Sequence, residues 1–174
     1  MTITSGPKIF GDLHQRKPMA NTSNRFKLIA DTVMGGISSG TMRQEKVAGR
    51  ESIRLQGSVS LENNGGFLQI AIDLNDDESA MNVQNWTGIS LDVLGNNETY
   101  NLHLRTSDLK HSWESYRQSF VATATWNTVT IPFSNFDPHR TECPLNLTSL
   151  RRIGIVAIGR QFEADISISD IRFY

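Results

Sequence analysis

From Arg25 onward apolar and polar residues alternate with a period of two, segment after segment, with little sign of a helical period. Ile53, Leu55, Val59 and Leu61 are separated by Arg54, Gln56, Ser58 and Ser60, the pattern of a strand with one face buried and the other in water. Asn63-Asn64-Gly65-Gly66 follows. An Asn-Gly pair supplies the positive φ angles of a tight turn, so the segment predicts a hairpin. Leu68, Ile70, Ile72 and Leu74 then form one face of the return strand, which ends in the acidic stretch Asp73, Asp76, Asp77, Glu78. Residues 77–86 read as a short helical turn. Ile89, Leu91 and Val93 point inward from a strand over 88–95, Asn96-Asn97 turns the chain, and Tyr100, Leu102 and Leu104 alternate with Asn101, His103 and Arg105.

Residues 115–121 and 126–133 are rich in aromatic and β-branched residues and predict a further strand pair. Ile153, Ile155, Val156 and Ile158 form a nearly continuous apolar run, as in a strand buried on both sides. The apolar parity then switches from Ile166 and Ile168 to Ile171 and Phe173. That one-residue slip at Ser169-Asp170 requires a bulge or bend, as where a strand passes from one sheet of a sandwich to the other. Eight or more short strands indicate an all-β sandwich or barrel, and the patterning favours two mainly antiparallel sheets. Residues 1–24 hold Gly6, Pro7, Gly11 and Pro18 without a sustained period and read as an irregular arm, with room for one short edge strand. Residues 25–174 read as a single domain with no internal repeat.

Composition narrows this picture. A chain of 174 residues that is 38% hydrophobic and 20% charged suits one packed core and excludes wholesale disorder. The net charge of -1 gives no bulk attraction to nucleic acid. Lys8, Arg16, Lys17, Arg25 and Lys27 outnumber Asp12 near the start, so the arm reads either as a solvated tail or as a contact to a membrane surface or acidic partner. Cys143 is the only cysteine, so no intrachain disulfide forms, which leans toward a reducing compartment. No apolar run reaches the length of a membrane helix, and Met1–Gly11 does not read as an export signal. The expectation is a cytoplasmic protein, at most peripheral to a membrane. The glycosylation-type tripeptides at Asn21, Asn85, Asn97 and Asn146 are then chance matches.

The chemistry-bearing residues are sparse. His14, His103, His111 and His139 are scattered, in no metal-ligand spacing, so no metal and no other cofactor is expected. Asp31 to Gly40 is glycine-rich, but its spacing fits no phosphate-binding loop, and Gly35 and Gly36 read as a tight turn. No nucleophile elbow or paired-acid motif stands out, so the reading is non-catalytic. The most informative stretch is Tyr100 to Phe120. Arg105, Tyr116 and Gln118 are expected on or beside a shallow groove, with Asn101, His103 and Trp113 near its rim. Aromatics supply contact area and Arg, Asn and Gln supply directional hydrogen bonds; a plain solvated sheet face fits the alternation equally well. Either Tyr116, Gln118 and Phe120 or Arg117 and Ser119 share the face of Asn101, His103 and Arg105, and the sequence leaves this open.

Several ordered motifs taken together give the chain a family resemblance. They are Asp31-Thr32-Val33-Met34-Gly35-Gly36-Ile37-Ser38, Asn63-Asn64-Gly65-Gly66-Phe67, Tyr116-Arg117-Gln118-Ser119-Phe120, Ile131-Pro132-Phe133, and Arg152-Ile153-Gly154-Ile155 followed by Asp165 to Phe173. Over about residues 26–174 the chain resembles the complex I intermediate-associated protein 30 family. The resemblance implies a jelly-roll sandwich like galactose-binding domains, on which a structural calcium near Asp31 or Asp170 would be in keeping. It also implies a non-catalytic assembly or scaffolding role toward a protein partner, such as subunits of a membrane-bound respiratory or photosynthetic dehydrogenase complex. Binding of a glycan in the jelly-roll groove is the competing expectation.

Overall fold

The structure, a computed structural model, describes residues 8–11 and 25–174. Twelve strands occur among them: β1 (Lys8–Gly11), β2 (Phe26–Ala30), β3 (Ser39–Val47), β4 (Arg50–Val59), β5 (Phe67–Asp73), β6 (Gly88–Leu94), β7 (Glu98–Thr106), β8 (Ser115–Ala122), β9 (Asn127–Pro132), β10 (Asp137–His139), β11 (Leu150–Ile158) and β12 (Phe162–Phe173). They form two antiparallel sheets. The first runs β3-β4-β12-β6-β9 with β1 against β12, and the second runs β10-β8-β7-β11-β5-β2. The fold is the jelly-roll sandwich expected from the residue pattern and the resemblance. The arm expected over residues 1–24, its basic residues and His14 lie outside the described residues, apart from the backbone of β1.

The inward positions are those that the period of two selects. Ile53, Leu55, Leu91, Val93, Ile166 and Ile168 from the first sheet meet Leu68, Ile70, Leu102, Leu104, Ile153 and Ile155 from the second. Tyr100 crosses this core. Its hydroxyl donates to Asn96 Oδ1 (2.7 Å) and accepts from the Asp165 amide of β12 (2.9 Å), and burial pushes its phenol up to about 12. The parity switch in β12 is a bulge between Ile168 and Asp170. There β12 stops pairing with β4 and takes β1 on the same side. The strand therefore stays within the first sheet, and the bulge changes its neighbour.

Three connections differ from the sequence expectation, two of them because the chain passes from one sheet to the other. β4 and β5 lie in different sheets, so Asn63–Gly66 is a crossover instead of a hairpin turn, and Leu61 is exposed beyond the end of its strand. The tight hairpin is at Ala48-Gly49, both with positive φ (44° and 84°), between β3 and β4. β8 and β9 do not pair; β8 joins β7 and β10, while β9 joins β6. Residues 77–86 contain no helix; they are held by mutual backbone bonds of Met81 and Leu150 and by the Val83 amide on Leu147.

Asp31, at the end of β2, explains two of the sequence motifs. It is fully buried. Its Oδ1 accepts from the Ser38 amide (3.0 Å), and its Oδ2 from the Ser38 hydroxyl (2.5 Å) and the amides of Gly66 (2.6 Å) and Phe67 (3.3 Å). Ser38 Oγ in turn accepts from the Ser60 amide (2.9 Å). One carboxylate thus ties the β2–β3 crossover to the β4–β5 crossover. Gly36 and Gly65 crowd against it: a Cβ on Gly36 would lie 2.4 Å from Asp31 Cγ, and one on Gly65 would lie 2.4 Å from Oδ2. Gly65 has φ -80°, so close approach, and not a turn angle, requires glycine there. Gly35 has φ +87° and serves as the turn residue expected. Both oxygens of the Asp31 carboxylate thus accept hydrogen bonds, and Asp170 Oδ2 accepts from Arg172 (2.6 Å).

Burial works against the Asp31 charge, but hydrogen bonds from Ser38, Gly66 and Phe67 outweigh it and hold the carboxyl below its ordinary value. Its contribution to stability is therefore complete above the unfolded-state value, about pH 4, and is lost as the pH falls further. Asp31→Ala should destabilise by about 3 kcal/mol or more, because buried N–H groups lose a charged acceptor. Gly65→Val should cost about 1–3 kcal/mol through displacement of the carboxylate. Chemical denaturation at pH 7 measures both; wild-type midpoints for either variant would show that the carboxylate does not hold the crossovers.

Candidate functional site

The two outward faces of the sandwich differ in how their charges are satisfied. On the first sheet each arginine has a partner. Arg54 grips Asp165 through Nε (2.8 Å) and Nη2 (2.7 Å) and reaches Glu45 through Nη1 (2.8 Å). Arg172 and Arg50 share Asp92 (3.5 and 3.8 Å), and Arg43 donates to Gln56 (2.9 Å). That face is self-neutralising.

The second sheet's outward face is built on a floor of small residues. Register places Ala71, Gly154, His103 and Arg117 in one row across β5, β11, β7 and β8. Ala71, Gly154 and Val156 are buried although they point away from the core. The Gln69 side chain lies over Gly154, its Oε1 2.4 Å from where a Cβ would stand. Beside this floor Arg152 Nε donates to Asp73 Oδ1 (2.7 Å), and Lys27 approaches the same carboxylate (3.7 Å). Burial raises the Asp73 carboxyl, but the Arg152 hydrogen bond and the nearby cations hold it below its ordinary value.

His103 lies at the centre of the face. Its Nε2 is buried without a hydrogen-bond partner. Burial first, then the charges of Arg117 and His139, push the imidazole down to about 4. Among the described residues the Arg117 side chain has no hydrogen-bond or salt-bridge partner, although Asp137 is its register partner on β10.

The residues singled out in the sequence divide between the two sides of the sheet. Asn101, His103 and Arg105 face outward, as their alternation with Leu102 and Leu104 requires. Tyr116 is fully buried on the opposite side, with its hydroxyl within donating distance of the Cys143 (2.9 Å) and Pro144 (3.1 Å) carbonyls. Gln118, opposite Leu102 in register, shares that inward side and is half-buried. A groove shared by Arg105, Tyr116 and Gln118 is therefore not formed, and the open parity question of β8 resolves with Arg117 and Ser119 outward. Arg105 is occupied with the loop before β8: its Nη1 lies 2.9, 3.1 and 2.5 Å from the carbonyls of His111, Ser112 and Glu114. It thereby positions Trp113, which is 56% exposed and stacked on His111 (centroids 4.4 Å apart, planes at 3°) at the rim. Sequence reasoning missed the weight of Arg117, His139, Arg152 and Asp73. The signal that was present is parity, since Arg117 alternates with the aromatic Tyr116.

Comparison with known proteins places this geometry. The sequence model of the family described as Complex I intermediate-associated protein 30 (CIA30) matches residues 13–168. No curated protein matches the sequence significantly. Solved structures share the fold. The family 11 carbohydrate-binding module of the cellulosomal cellulase Lic26A-Cel5E of Clostridium thermocellum superposes with TM-score 0.70 at 13% identity, over 86% of each chain. The family 11 module from that organism in complex with a beta-1,3-1,4-mixed-linked tetrasaccharide gives 0.69 at 13% identity, over 86% of this chain and 88% of that one. The family 30 module of cellulase Cel9D-Cel44B of the same organism gives 0.60 at 12% identity, over 86% of each chain.

The low pKa of His103 has a measurable consequence. The unfolded chain takes up this proton near pH 6.5, the folded protein only near 4. Stability from the neutral imidazole is thus complete above about pH 6.5 and is lost as the pH falls toward 4. The melting temperature should decline over that window, and His103→Gln should flatten the decline. A variant curve parallel to wild type would show that another group titrates.

Proposed function

The chain belongs to the Complex I intermediate-associated protein 30 family, and we propose that it is a non-catalytic binding domain, an assembly or scaffolding factor that holds a protein intermediate of a membrane-bound dehydrogenase complex. The observation that carries this reading is the contrast between the outward faces. One satisfies its own charges, whereas the second sheet presents an unpartnered guanidinium at Arg117 and an unpartnered buried nitrogen at His103. Unsatisfied polar groups on an outward sheet face suit a partner that brings its own hydrogen-bonding groups to them. Among the described residues, the face shows no hydrogen-bonded sequence of nucleophile, base and orienting group of the kind covalent catalysis needs. No described helix is long and apolar enough to cross a membrane.

Glycan binding is the second reading. It is favoured by the shared fold with carbohydrate-binding modules, one of them solved with a tetrasaccharide. Stacking on sugar rings calls for aromatic platforms. Here the rings near the face are Trp113, on its rim, and the half-buried Phe67 at one end. The protein-partner reading therefore ranks first.

The test is capture by the full chain from mildly solubilised membranes of its native cells. Recovery of subunits of a respiratory or photosynthetic dehydrogenase, reduced several-fold by Arg117→Glu, is the expected result. Failure to recover such subunits together with a clean glycan-array signal would replace the assembly reading with the second one.

A further inference from the structure

Two of the unsatisfied groups on the second sheet lie side by side. His103 on β7 and Arg117 on β8 are register partners. His139 on β10 follows two residues after Asp137, the register partner of Arg117, and is near enough for its charge to act on His103. A guanidinium offers five N–H donors in a planar fork that matches a carboxylate, and a protonated imidazole nitrogen adds another. We propose that Arg117, His103 and His139 form a carboxylate subsite, and that its ligand is an acidic segment of a protein partner laid across the second sheet. The inference rests on the reading of this face as protein-binding.

Three observations support the choice of ligand. Lys27, Arg105, Arg117 and Arg152 stand on or at the edge of this face against Asp73, Asp137 and Glu78; Asp73 is already bound by Arg152 and Lys27, and Glu78 by Lys27 (3.7 Å). Asp137 forms no salt bridge with Arg117, so the guanidinium is left for an incoming oxygen. Over the low floor at Ala71 and Gly154 lies the Gln69 side chain, so only a movable side chain stands between that part of the sheet and an incoming segment.

Binding is coupled to protons. Burial and the Arg117 charge hold both imidazoles below their ordinary value in the free protein. The groups facing His103 are Arg117 from β8, Asp137 and His139 from β10, Arg152 and Asp73 from β11 and β5, and Arg105 along its own strand. A bound carboxylate adds negative charge to this surplus of cations, raises the imidazole values and draws in a proton. The segment therefore binds more tightly as the pH falls from 7 to about 5.5.

The probe is a fluorescent Glu-rich decapeptide titrated into the full chain by anisotropy at low salt, with a Gln-rich decapeptide and a galacturonate oligosaccharide as controls. The Glu peptide should bind in preference to both controls. Arg117→Glu should weaken it by roughly tenfold or more at an unchanged melting temperature, as expected for loss of a charge-assisted pair. Asp137→Asn should tighten it, and His103→Gln should reduce the gain at low pH. Equal affinity of wild type and Arg117→Glu, or preference for the Gln peptide or the galacturonate, overturns the subsite. Should the Glu peptide fail while dehydrogenase subunits are still captured, the subsite falls and the assembly reading stands. If the peptide result holds and no such subunit is captured, the subsite stands and the assembly reading falls.

Discussion

Asp31 places one buried carboxylate between the two crossovers, β2 to β3 and β4 to β5, that carry the chain between sheets at one end of the sandwich. Both crossovers depend on it for hydrogen-bond satisfaction: the amides of Ser38, Gly66 and Phe67 and the hydroxyl of Ser38 all point at its two oxygens. A buried donor without an acceptor is costly, so moving the carboxylate would release several costs at once. This is why Asp31-Thr32-Val33-Met34-Gly35-Gly36 and Asn63-Asn64-Gly65-Gly66, more than 20 residues apart in the chain, read as a matched pair of motifs. The glycines make room for the carboxylate, and the carboxylate satisfies the backbone that the glycines leave open.

Fixing that end of the sandwich fixes which strands share a sheet, and hence which polar residues share a face. β5 enters the second sheet next to β11 and β2, with the amide of its first residue, Phe67, bound to Asp31. Gln69, Ala71 and Asp73 then fall beside Arg152, Gly154 and Val156, and beyond these lie Asn101, His103 and Arg105. The candidate site thus consists of positions that four strands, distant in sequence, bring into register. Its chemistry comes from unequal satisfaction. Arg54 and Arg172 meet carboxylates within their own sheet, whereas Arg117 and the Nε2 of His103 do not.

Likeness to carbohydrate-binding modules at 12–14% identity concerns the fold. A jelly roll offers a broad outward sheet face, and what that face holds depends on the side chains placed there. In this chain those side chains are rich in hydrogen-bond donors and poor in exposed aromatic rings. The proposal that the face holds a protein partner rests on that composition, and the chain belongs to the family described as Complex I intermediate-associated protein 30.

Much of the fold is legible in the sequence because strand burial is a local property. The period of two marks the inward faces of β4, β5, β6 and β7, the nearly continuous apolar run marks β11, and the parity switch at Ser169-Asp170 locates the bulge in β12. Sheet membership is not local: a strand's partner is chosen by core closure and by contacts such as Asp31 to Gly66, so the adjacency of β4 with β5 and of β8 with β9 misleads. The site divides the same way. The outward direction of Asn101, His103 and Arg105 follows from alternation with Leu102 and Leu104. The facing of Tyr116 against Arg117 was decided by the register of β8 on β7, and the commitment of Arg105 to the Trp113 loop by three carbonyls that only the folded loop brings within reach. The sequence by itself determined which residues alternate, and hence a two-layer core. Only the tertiary structure decided which charges meet and which are left without a partner, because pairing depends on distances across strands that spacing along the chain does not contain.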